Sequence, residues 1–148
     1  MRVGSIFKWG DYEQQNDPRV SGRLFIFFGC SPSFLNPIYA YIASTTARTL
    51  YYKSGSQYQN NKNIIWFNQG ECKFKEECIL DFDRYFYYDI ELNDIINKTV
   101  IDIIPDEKLR MIYDKIYNCK RIRDGIVNDI HFCFNGIGIK NLKKRKQN

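Results

Sequence analysis

The sequence predicts a mainly β, α+β fold: a small barrel or sandwich of short strands with one amphipathic helix near its C-terminal end. Three observations carry this reading. Aromatic residues make up 16% of the chain, with 11 Tyr and 11 Phe, and such side chains favour half-buried pleated surface. At least five short apolar runs fall within the first 90 residues, with no helical period between them. One later stretch repeats its apolar residues at helical spacing. A length of 148 residues is enough for one domain with a real core.

The elements follow in order. Residues 5–9 alternate as a short strand, and Gly10, Asp11 and the polar residues 13–19, with Pro18 among them, read as a loop. Residues 24–28 are continuously apolar and bounded by Gly22 and Gly29, as a strand buried on both faces should be. Ser31, Pro32, Asn36 and Pro37 punctuate the chain before a Tyr- and Ile-rich strand at 38–43. Residues 51–63 are polar, contain Gly55 and read as a long hairpin loop; 64–67 is the next strand, with a turn at 68–70. Residues 78–88 read as one strand, or as two broken near Asp83 and Arg84.

The helix signal is the clearest local one. Pro105 suits a first helical residue, and Asp106 and Glu107 complement the positive end of the helix dipole. Leu109, Ile112, Tyr113, Ile116 and Tyr117 then form one apolar face. Lys120, Arg121 and Arg123 are expected in its last turn, with Gly125 as the stop. Residues 1–128 are thus expected to form the barrel and its helix. Within 129–139, Ile130, Phe132 and Phe134 alternate with His131, Cys133 and Asn135, which predicts an added strand. Residues 140–148 are polar and basic and are expected to stay mobile.

Charge and cysteine usage exclude several classes. The net charge of +5 is supplied by Lys140, Lys143, Lys144, Arg145 and Lys146, which leaves the rest of the chain balanced against its 17 acids. That body carries no general presumption of nucleic-acid binding. The early apolar runs fall far short of the roughly 18 residues a membrane span needs, and no apolar export segment follows Arg2 and Lys8, so a cytoplasmic protein without membrane contact is expected. Five scattered cysteines argue against a disulfide framework. Cys72 and Cys78 are six apart and His131 is the single histidine, so no zinc site is expected. There is no Gly-rich phosphate loop or paired-His motif either, and no cofactor is expected. His131 reads as a satisfied or surface histidine.

Polar positions at strand ends are the remaining candidates: Arg23 before a buried strand, Thr45 and Thr46 at the end of the next, and Asp81 within Leu80, Asp81, Phe82, Asp83, Arg84. Their order resembles the MazF/PemK family of toxin endoribonucleases. There an Arg-Pro pair opens one strand, a second strand ends near a Thr-Ser or Thr-Ala pair, and a later strand carries an Asp-Gln-x-Arg element. The resemblance spans roughly residues 3–120 and includes the β-like piece running into a helix at 100–116. The chain departs from the family pattern at Leu24, where the family has proline, at Phe82, where it has glutamine, and at Ile79, where some members have a second arginine.

The resemblance implies an SH3-like barrel, a homodimer, a possible antitoxin partner and metal-independent cleavage of single-stranded RNA. It implies that Arg23 binds the scissile phosphate, that Thr46 or Thr45 hydrogen-bonds it, and that Asp81 serves as base or orients the ribose. Trp66, Arg84, Tyr51, Tyr52 and the aromatic cluster at 85–88 would meet the RNA. Each residue also has an ordinary structural reading as a solvated charge, a β-former or an ion-pair partner. A non-catalytic small barrel that binds RNA or a protein remains the alternative, as does an interaction subunit using its aromatic surface.

Overall fold

The computed structural model describes residues 1–9, 24–53 and 63–146. Seven strands are present among them: β1 Ser5–Lys8, β2 Leu24–Cys30, β3 Tyr39–Thr46, β4 Ile64–Phe67, β5 Cys78–Asp81, β6 Phe86–Glu91 and β7 Val100–Ile103. All pairings are antiparallel, in the order β4-β5-β3-β2-β1-β7, with β6 also paired to β3. The sheet curls as a small barrel does, and β7 packs beside the short turn of helix Glu71–Lys73. The expected α+β small barrel is therefore what the chain forms.

β3 organises the sheet. Along one edge it pairs with β2, from Phe25 opposite Ser44 to Cys30 opposite Ala40. Along the other it pairs first with β6 and then, through Thr45 and Thr46, with β5. The run at 78–88 is accordingly two strands, and the break falls at Phe82–Tyr85, where the Asp81 carbonyl accepts the backbone N–H groups of Arg84 and Tyr85. The core is aromatic, as the composition demands. Phe7 stacks on Phe25 at 5.8 Å, and Phe28 meets Phe82 at 5.8 Å.

Two helices follow, not one. α1 (Asp106–Asn118) follows Pro105, which is its extended N-cap rather than its first helical residue, and its Leu109, Ile112, Tyr113 and Ile116 are buried as the periodicity requires. It stops earlier than expected, at Cys119, so Lys120, Arg121 and Arg123 lie in the connection rather than in a last turn. Gly125 is no stop; it sits in the first turn of α2 (Asp124–Gly136). The strand expected at 129–139 is thereby corrected. Ile126, Val127, Ile130 and Phe134 fall on one helical face and are buried against β2, while Phe132, which completed the apparent alternation, is 77% exposed.

The basic tail is also corrected: residues 140–146 are docked. Their backbone finds partners among helix side chains. The Lys140 carbonyl accepts from Arg110 at 2.8 Å, that of Leu142 is bonded to His131 Nε2 at 3.2 Å, and that of Lys143 accepts from the Tyr113 hydroxyl. Asn128 closes a two-way bond with the backbone of Arg145, at 3.0 and 3.1 Å. The Arg145 guanidinium then covers the open end of α1. It donates to the carbonyls of Ile116 (3.3 Å), Tyr117 (2.6 and 3.0 Å), Cys119 (2.7 Å) and Ile122, and pairs with Asp124 at 3.2 Å. The last carbonyls of a helix lack intrahelical partners, and a planar five-donor cation satisfies several at once.

Candidate functional site

The residues singled out in the sequence separate onto two faces of the sheet. Thr46 pairs with Ile79, and Ile79 with Trp66, so Thr46, Ile79 and Trp66 lie side by side on one face, with Asp81 two residues further along β5. Thr45, paired with Leu80, points the other way. Arg23 lies outside the described residues, as does most of the loop expected at 51–63.

On the first face the polar groups are already engaged. Asp81 is fully buried; its carboxylate accepts the Tyr52 hydroxyl at 2.7 Å and the Asp83 N–H at 3.0 Å. Burial, and then the bond to Asp81 and its charge, push the Tyr52 hydroxyl well above its ordinary value, so it remains a donor. Thr46 is buried, and its hydroxyl oxygen accepts the Arg48 N–H at 3.2 Å. Trp66 is half-buried, and its carbonyl is bonded by the Lys108 ammonium at 2.7 Å. Arg84 sits exposed in the turn after β5, 5.9 Å from the Tyr85 ring centroid.

The second face opens into a cleft of about 750 Å³. Pairing of β1 with β2 sets Lys8 beside Leu24, and the β2–β3 register adds Thr45 at the same end. Lys73, Phe74, Lys75 and Glu76 form a second wall, and Asn97, Lys98, Thr99 and Ile101 a third. Four lysines thus line one cleft, and Glu76 is the one acid among its described lining residues. Among the described residues Lys8, Lys73 and Lys75 make no ion pair, and Lys98 lies 5.9 Å from the Trp9 ring centroid. Thr45 is buried at the cleft wall, and its hydroxyl donates to the Leu24 carbonyl at 3.2 Å.

Two further features define the chemistry there. The backbone carrying Lys73 is left-handed, with φ of 51° at Cys72 and 63° at Lys73, a conformation that costs roughly 1–2 kcal/mol per residue and tends to mark functional segments. Cys78 lines the cleft but is no nucleophile. Burial, with Glu71 and Glu76 nearby, pushes its thiol up to about 12.

Lys8, Lys73, Lys75, Lys98 and Glu76 were missed in the sequence, and no local signal marks them. Each is an ordinary surface charge in its own segment, and only strand register and the return of the chain into β7 bring them together. No protein-family model, curated protein or solved structure matches the chain.

Proposed function

We propose that the chain is a toxin-like endoribonuclease that seats single-stranded RNA in the Thr45 cleft. The observation that supports this reading is the convergence of four lysines, one carboxylate and a strand-end threonine on one concave surface. Four cations neutralise successive phosphates, and most of the affinity for an RNA strand comes from such neutralisation. The reaction that fits these groups is attack by a ribose 2′-hydroxyl on the adjacent phosphorus. Glu76 takes the hydroxyl proton, the 2′-oxygen bonds to phosphorus, and the bond to the 5′-oxygen breaks. The departing oxygen takes a proton from a lysine or from water, giving a 2′,3′-cyclic phosphate and a 5′-hydroxyl. The lysines stabilise charge on the phosphoryl oxygens. Single strands are favoured because their flexible backbone reaches the in-line geometry this attack needs.

Asp81 and Thr46 support the site from behind the sheet's β3–β5 end. Their bonds to Tyr52, Asp83 and Arg48 hold the β3–β5 end that presents Thr45. Arg23 keeps the role the resemblance implies for it, since a guanidinium binds phosphate oxygens in a bidentate way. Following the resembled family, the enzyme is cytoplasmic, pairs with a second copy of itself and is neutralised by an antitoxin protein.

A second reading, a non-catalytic RNA-binding barrel, is favoured by the burial of Thr46 and Asp81. Labelled single-stranded RNA incubated with the protein in EDTA separates the two. The enzyme reading expects fragments ending in cyclic phosphate. Intact but retained RNA would establish the binding module, and RNA neither cut nor retained would overturn both.

A further inference from the structure

Away from the cleft, β2 and α2 bring two thiols together. Cys30 ends β2, and Cys133 lies on the face of α2 turned towards it. The Cys133 thiol donates to the Cys30 carbonyl at 3.7 Å, which sets the two side chains next to each other. Their approach is built into the fold. Gly29, at φ +135°, leaves room for Cys133, since a Cβ there would stand 2.8 Å from Cys133 Cβ and 3.0 Å from its sulfur. One turn earlier on α2, Asp129 accepts the Tyr41 hydroxyl at 2.7 Å, which fixes this part of the helix against β3. Both thiols are partly exposed, whereas Cys78 and Cys119 are buried.

We propose that Cys30 and Cys133 form an oxidative modification site, closing to a disulfide that clasps α2 to β2. The oxidant class is a low-molecular-weight disulfide. The Cys133 thiolate attacks one of its sulfurs, forming a mixed disulfide and releasing one thiolate. The Cys30 thiolate then attacks the Cys133 sulfur, the internal S–S bond forms, and the second small thiolate leaves. Two electrons pass from the protein thiols to the small disulfide, and their two protons end on the released thiols. The order of attack follows from the effect each thiol has on its neighbour's proton. That effect favours the thiolate at Cys133, whose affinity for its proton falls, and it raises that of Cys30, with burial adding to the rise.

The test uses the reduced full-length chain and oxidised glutathione under native conditions. Intact mass should fall by two hydrogens with no retained glutathione, and peptide mapping should join Cys30 to Cys133. Closing a loop of about 100 residues should raise Tm by roughly 10 °C. In Cys30→Ser the reaction should stop at glutathione on Cys133, and in Cys133→Ser the internal link should be absent. A wild-type product that stops at the mixed disulfide, a link joining Cys72 to Cys78 instead, or a Cys30–Cys133 link that lowers Tm would each overturn the proposal.

Discussion

Arg145→Ala is expected to lower the free energy of unfolding by about 3 kcal/mol and Tm by roughly 10 °C, read by urea titration and calorimetry. The side chain is only 15% exposed and bonds four carbonyls at the end of α1 and in the turn that follows. Its removal strips these carbonyls of their partners in a part-buried setting and leaves Asp124 unpaired. Charge-assisted hydrogen bonds contribute about 1.5–3 kcal/mol each when lost singly, but the bonds of one guanidinium are not additive, so a loss well below their sum is expected. Arg145→Lys should restore little, because a single ammonium cannot reach the same set of carbonyls. A change below about 0.5 kcal/mol would mean that the tail contributes nothing to the fold.

Glu76→Gln is expected to slow RNA cleavage by about 100-fold or more while leaving RNA retention equal or slightly tighter. The amide keeps the size of the side chain and loses the proton acceptor. Removing the Glu76 charge from a cleft lined by Lys8, Lys73, Lys75 and Lys98 favours a polyanion, so binding and cleavage should move in different directions. Equal cleavage by the variant and the wild type would remove Glu76 from the chemistry. Equal loss of binding and cleavage would make its role structural.

The fold was legible where short-range signals sufficed. The strands were apolar runs closed by Gly, Pro or Asn, and Pro105 with its acidic neighbours announced α1. α2 was not legible, because Ile130, Phe132 and Phe134 satisfy a period of two while only Phe132 violates the helical face. The tail was misread for a different reason. Its order comes from Arg110, Tyr113, Asn128 and His131, residues distant in sequence that bond its backbone, and from its own Arg145 and Leu142 side chains.

The candidate site was legible only at Thr45, which was marked by its place at a strand end. Asp81 was visible as an acid among apolar residues, but its partner Tyr52 lies in a polar stretch with no period to read. The cleft cations were invisible for a reason of charge arithmetic. A balanced body hides a local excess, and Lys8, Lys73, Lys75 and Lys98 meet only when the sheet curls.

RNA seated in this cleft should leave its mark on the salt dependence of RNA retention. Each phosphate neutralised on a single strand contributes about −0.7 to the slope of log affinity against log salt. Lys73→Ala with Lys75→Ala should therefore flatten the slope by about 1.4 and weaken binding across all sequences alike. The same pair of changes at the exposed tail residues Lys143 and Lys144 should leave the slope as it is. A slope unmoved by the cleft substitutions and flattened by those in the tail would contradict the account.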